Sequence, residues 1–236
     1  TSAAAIAIVC RNFLMRAGMC VSGIFFYYVF VYRIGGSMKD GATAWGWFIT
    51  GITIATLVGT PAVAWLTQHW GKKQTTMALM LASSVAYASM WWTFTRASSE
   101  MHLYLLTAAG IGIFCNTLPM VINSMLADVC DADELQSGAR REAFYGAVFV
   151  TCDKLAYAFA LLLQGFLLEY SGFDATLESQ SQETVTSWMK WLIATQPTGF
   201  ILGMLCILAY PLTKQRLREI RTELDARNAR SPLTAP

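Results

Sequence analysis

Apolar residues along this chain come in long, nearly unbroken blocks, without the alternation of a half-buried strand or the narrow stripe of a surface helix. The blocks fall at about residues 17–34, 44–66, 76–94, 103–127, 144–168 and 197–212, separated by short polar segments. Most approach the roughly 20 residues that carry an α-helix across a hydrocarbon core about 30 Å thick. The pattern predicts six transmembrane helices and an all-α membrane protein. Residues 1–16 hold an apolar stretch broken by Arg11 and Arg16, too short to span, and read as an interfacial lead-in with Asn12 capping the first span. Residues 213–236 form a charged, helix-prone tail, expected in water or on the membrane surface.

Punctuation inside and between the blocks adds detail. A glycine-rich turn is expected at residues 35–41, a basic one at 69–73, a short loop at 96–102 and a long acidic loop at 171–190 that ends in a surface helix before Pro197. Gly51, Ala55 and Gly59 give the second span a face that another helix can approach closely, and Pro61 is expected to bend it. Trp91 and Trp92 close the third span as an interfacial pair. In the fourth, Gly110, Gly112 and Pro119 predict close packing and a break, and Asn116 and Asn123 supply polar faces, as cavity-lining groups or as glue between helices. Tyr27 and Tyr28 stand near the far end of the first span, as interfacial anchors or as cavity lining.

Lysine and arginine placement sets the expected orientation. Lys72, Lys73, Arg140, Arg141 and the basic tail fall on one side, against Arg33, Lys39, Arg96 and Lys190 on the other. The richer side is expected to be cytoplasmic, which puts both termini inside a cell (inner) membrane.

The most informative stretch is residues 125–154, MLADVCDADELQSGARREAFYGAVFVTCDK. Asp128, Asp131 and Glu134 are three apart, so they share one helix face at the end of the fourth span. Anions are disfavoured at a helix C-terminus, so this face calls for cations, and Arg140 and Arg141 are the nearest in sequence. Glu142 opens the next span, where negative charge is favoured. The cluster reads as a gate of ion pairs or as a solvated loop that sets topology. About eleven residues into the fifth span stands Lys154, roughly 16 Å deep at a rise of about 1.5 Å per residue. A lysine at mid-membrane costs about 2.5–3.5 kcal/mol even on insertion scales, so it is expected to face protein or water and to have a partner. Asp153 is not a natural one, because adjacent helical residues point about 100° apart.

This stretch resembles the loop between helices ten and eleven of the glycoside–pentoside–hexuronide:cation symporters, the melibiose-permease group of the major facilitator superfamily. The matching pattern is A-D-x-x-D-x-x-E, a polar turn, R-x-E and a lysine twelve residues on, here Ala127, Asp128, Asp131, Glu134, Arg140, Glu142 and Lys154. The resemblance extends from the tyrosine-rich first span to the tail and covers the C-terminal half of that family only. It implies one half of a major facilitator fold, a 3+3 inverted repeat, either truncated or paired with a second chain. It implies cation-coupled (Na+ or H+) symport of a sugar or glycoside, a cytoplasmic gate at Asp128, Asp131, Glu134, Arg140, Arg141 and Glu142, and a coupling role for Lys154 opposite a carboxylate of the N-terminal half. Relatives of the fold that carry lipids or other amphiphiles give a second reading, and a membrane interaction half without transport a third.

Composition narrows these classes. Only 14% of residues are charged and mean hydropathy is +0.44, against about a quarter charged in soluble domains. The net charge of +2 is too small and divided for a nucleic-acid surface. The six cysteines stand singly, without CxxC or metal-ligand spacing, and read as small buried hydrophobes. No nucleophile–base pair and no phosphate-cradling glycine loop is present, so neither an enzyme nor a cofactor is expected.

Overall fold

The computed structural model describes residues 2–35, 38–96, 101–174, 177 and 179–230. The described residues are helical across the expected spans except at residues 116–117 and 209–212, with no strand among them. The elements are α1 (Ser2–Val29), continued as a π-helix (Phe30–Gly35), then α2 (Met38–Trp70), α3 (Lys72–Arg96) and α4 (Met101–Gly110). A π-helical turn (Ile111–Cys115) leads into α5 (Leu118–Ser137), followed by α6 (Glu142–Tyr170), α7 (Gln182–Leu208) and α8 (Lys214–Arg230). The turn expected at 35–41 and the loop at 96–102 lie partly outside the described residues, as does the last part of the tail.

Two boundaries differ from the sequence expectation. Residues 1–16 are not a separate lead-in: α1 runs unbroken past Arg11 and Arg16, both of which turn toward protein. Asn12 is therefore mid-helix and caps nothing. The last span does not start at residue 197. Ser181 caps a helix fifteen residues earlier by accepting the Thr184 backbone N–H at 3.1 Å, and Pro197 sits inside it.

Among the described residues five stretches are long and apolar enough to cross a membrane: Ala3–Arg33, Lys39–Trp70, Leu103–Ser137, Glu142–Tyr170 and Gln182–Leu208. The expected third span, α3, is more polar. Its Thr75, Thr76, Ser83, Ser84 and Thr93 are buried rather than exposed. Ser83 donates to its own helix at Leu79 O (2.7 Å) and Ser84 to Pro197 O of α7 (3.3 Å), so these hydroxyls do not need water.

Helix α1 is the centre of the packing, with α7 and α6 against it. Its approach to α7 depends on paired glycines: a Cβ on Gly18 would stand 2.8 Å from Thr195 O and 3.2 Å from Gly199 Cα. At Gly112, in the π-helical turn, a Cβ would strike the Ile52 carbonyl of α2, and Thr56 Oγ1 donates to Gly112 O at 3.1 Å. The far end is closed by aromatic rings, with Phe30 4.9 Å from Phe48 and 5.5 Å from Phe94. By contrast α6 buries only Ala156, Ala160 and Gln164, one stripe laid on α1, and leaves most of its apolar surface uncovered.

Candidate functional site

The end of α5 carries the acidic face foreseen in the sequence. Its turns are closed by Gly138 in the left-handed region (φ 76°), which ends the helix and sends the chain back into α6. Asp128 is completely enclosed. Lys72 Nζ donates to one carboxylate oxygen at 2.6 Å and also to Ser124 O at 3.0 Å. Arg221 Nη2, from α8, reaches the other oxygen at 3.0 Å. Glu134 pairs with Arg227 at 3.0 Å and with Arg140 at 3.3 Å. Asp131 sits between longer contacts, 3.7 Å to Arg140 and 3.9 Å to Arg221. Arg140 also holds Glu142 at 3.1 Å.

Arg141 joins none of those three acids. Its guanidinium forks onto Asp133 at 2.8 and 2.6 Å, because residue 133 is turned about 100° from residue 134 on the helix. The hydrogen bonds that Arg141 donates to Asp133 and Arg140 to Glu142 raise both guanidinium groups above their ordinary value. The structure therefore brings together Asp128, Asp131, Glu134, Arg140 and Glu142, places Arg141 on a neighbouring pair, and adds Lys72, Asp133, Arg221 and Arg227. The tail helix is held there by these pairs and by Ile220 and Leu224, which pack on Ala132 and Leu135. The basic turn at 69–73 and the charged tail show that cations are present, but nothing local shows which acids they meet.

A second charged cluster lies at mid-helix between α1 and α6. Asp153 receives Arg16 Nε at 2.8 Å and Arg16 Nη2 at 3.1 Å, a two-point pair, and Asn12 Nδ2 at 3.0 Å. Both partners remain partly open, Arg16 at 42% and Asp153 at 26%. Lys154, one residue on, is exposed and points away from the α1 contact. Sequence reading treated Arg16 as a helix breaker and so missed this pair.

Asn116 and Asn123 are both exposed, on one face of the π-turn and α5 together with Met120. Tyr28 stacks on Phe173 and lies against Trp188, each at 5.3 Å, within the aromatic closure, while Tyr27 meets Trp45 edge-on at 6.2 Å. No group of three or more His, Cys, Asp or Glu side chains among the described residues is arranged to hold a metal ion.

Comparison with known proteins identifies the family. An uncharacterized symporter of Synechocystis sp. is 37% identical over 148 residues, 60% of this chain and 26% of its own length. The glucuronide carrier protein homolog of Escherichia coli is 29% identical over 187 residues, 77% of this chain and 40% of that protein. The mouse sphingosine-1-phosphate transporter MFSD2B is 29% identical over 185 residues, 76% of this chain and 36% of that protein. The chain thus spans between about a quarter and two fifths of the length of these relatives. The model of the MFS/sugar transport protein family matches residues 2–214, nearly the whole chain. The protein belongs to that family, within the major facilitator superfamily, and is a multi-pass membrane protein.

Proposed function

We propose that the protein acts as the six-helix C-terminal half of a cation-coupled (Na+ or H+) symporter for a sugar or glycoside, completed by an N-terminal half in the same or a second chain. The observation that carries this reading is the polar cluster on α1 and α6: the half-open Arg16–Asp153–Asn12 set with Lys154 beside it at mid-helix. Lys154 on a lipid-facing surface would cost about 2.5–3.5 kcal/mol. Its stem, about 6 Å long, does not reach water from that depth. The face bearing it therefore turns toward an aqueous cavity and the other half, where Asn116 and Asn123 add hydrogen-bonding groups suited to hydroxyls.

In the assembled transporter Lys154 pairs with a carboxylate of the N-terminal half near the cation site. Asp128, Asp131, Glu134, Arg140 and Glu142 gate the cytoplasmic end, with Arg141 bracing the turn through Asp133. Cation-driven uptake into proteoliposomes tests the assignment. In Lys154→Ala the opposing carboxylate is left without its ammonium, so cation-driven uptake should lose most of its coupling. Expression and cation-free exchange should persist, and Lys154→Arg should rescue poorly, because a planar fork does not replace a compact ammonium. Wild-type coupling in the alanine variant would remove Lys154 from the mechanism.

A second reading is transport of a lipid or other amphiphile. It is favoured by the sphingosine-1-phosphate transporter among the relatives and by the broad uncovered apolar surface of α6, including Leu155, Phe159, Leu162 and Phe166. Competition of uptake by a panel of glycosides against single-chain phospholipids separates the two.

A further inference from the structure

A cavity of about 520 Å³ opens between the α2–α3 turn, α5 and the tail helix, at the end of the molecule proposed to be cytoplasmic. Its wall holds five cationic side chains, Lys72, Lys73, Lys214, Arg218 and Arg221, and one carboxylate, Asp128. That carboxylate is already shared by Lys72 and Arg221. Lys73 donates to Leu208 O and Tyr210 O at 2.8 and 2.7 Å, and Lys214 to Gln68 O and His69 O at 2.6 and 3.1 Å. These carbonyls lie at the end of α7, just beyond it at Tyr210, and at the end of α2, and they orient the two ammonium groups without cancelling their charge. Arg218 takes no side-chain partner among the described residues, although Glu219 and Glu223 stand on the same helix; both carboxylates are drawn to Arg216 instead. The cavity thus carries a large excess of positive charge fixed in place by the fold.

The rest of the wall mixes polar side chains, Thr67, Gln68, Gln74, Ser124 and Thr213, with apolar ones. Met120 and Leu217 line it, and Trp70, 56% exposed, sits at its rim as an interfacial tryptophan would. A volume of this size suits a small polar headgroup with the first part of a hydrocarbon chain. Basic pockets at the ends of membrane helices recognise lipid phosphates by this combination of fixed cations and adjacent apolar surface. We infer that this cavity binds the phosphodiester headgroup of an anionic phospholipid from the cytoplasmic leaflet, with Arg218 as the cation free to engage it and Lys73 and Lys214 behind it.

The test uses the full chain purified in a mild nonionic detergent, with phosphatidylcholine and phosphatidylglycerol added in equal amounts and bound lipid counted by native mass spectrometry. Phosphatidylglycerol should be retained in preference to phosphatidylcholine. Arg218→Gln should lower that retention by about fivefold, the effect of one cation near an anionic headgroup, with unchanged melting because Arg218 has no side-chain partner among the described residues. Arg216→Gln removes the same charge from the same helix outside the cavity and should leave retention within about twofold. Equal retention of the two lipids, or an unaffected Arg218→Gln variant, overturns the assignment. Equal losses in Arg216→Gln and Arg218→Gln overturn it in favour of general attraction by the basic tail. Complete displacement by millimolar glycerol phosphate overturns the lipid in favour of a soluble phosphate.

Discussion

Replacing Asp128 with asparagine tests what holds the α5 end together, and the structure sets the size of the effect. The carboxylate is fully enclosed, but its two cations differ: Lys72 is 19% exposed and Arg221 60%. When the carboxylate is lost, Arg221 can swing into water, whereas Lys72 stays in a site with only the Ser124 carbonyl for company. Breaking a buried pair from one side costs about 3–5 kcal/mol. An exposed pair is worth about 0–1 kcal/mol. Nearly all of the loss should therefore arise on the Lys72 side.

For a chain of this size about 1 kcal/mol moves the melting temperature by about 2–4 °C. Asp128→Asn should then lower melting in detergent by about 6–20 °C, and Arg221→Gln by less than about 4 °C. The decisive measurement is a pair of double-mutant cycles, Asp128 with Lys72 and Asp128 with Arg221. The first should show strong non-additivity and the second little. Equal coupling in the two cycles, or an Asp128→Asn variant melting within about 2 °C of wild type, would refute the argument that burial sets the strength of this site.

Other consequences follow from close packing, from the intramembrane pair and from orientation. Gly112→Ala forces a methyl against the Ile52 carbonyl and should destabilise by about 1–3 kcal/mol, whereas Gly46→Ala, with open space around it, should be near neutral; equal melting of the two variants would contradict the close approach of α2. Arg16→Gln should reduce folded protein by stranding Asp153, and adding Asp153→Asn should restore much of it, as read by size-exclusion yield; simple additivity of the two losses would show that the pair is not coupled. In intact cells an impermeant thiol reagent should label a cysteine placed at Ser179 and spare one at Ser137, and outside labelling at Ser137 would reverse the proposed orientation.

The acidic face was legible because its information is local. A three-residue spacing at a helix end fixes which carboxylates share a face, and Asp128, Asp131 and Glu134 do share one. Their cations were not legible, because Lys72 is 56 residues from Asp128, and Arg221 and Arg227 are each 93 residues from their acids. Sequence proximity favoured Arg140 and Arg141, and only Arg140 was turned to the right side. The error at residues 1–16 has the same origin. Charges in an apolar run read as the end of a span when each is counted alone, since each is costly in lipid. Arg16 is 137 residues from the acid that neutralises it, so the cost that seemed to end the helix is offset by a partner no local pattern could supply.

That offset bears on how α6 works. Its buried stripe, Ala156, Ala160 and Gln164, lies on α1 and carries Asp153 toward Arg16, while Gln164 reaches the Cys20 carbonyl at 3.5 Å. A turn of about 100° per residue then carries Lys154 off that stripe. Two adjacent side chains are thereby committed in different directions. Asp153 is spent inside this half, where it cancels Arg16, so it is not the group that answers Lys154. The cluster as a whole keeps one positive charge in excess, presented on an exposed face where the described residues offer Lys154 no ion pair. A helix that fixes an aspartate inward and a lysine outward at the same depth has its charge requirement set from outside, by a carboxylate or by water in the space between the halves. Replacing Lys154 should accordingly leave the α1–α6 contact intact, whereas replacing Asp153 should loosen it, and this difference separates a coupling residue from a structural one.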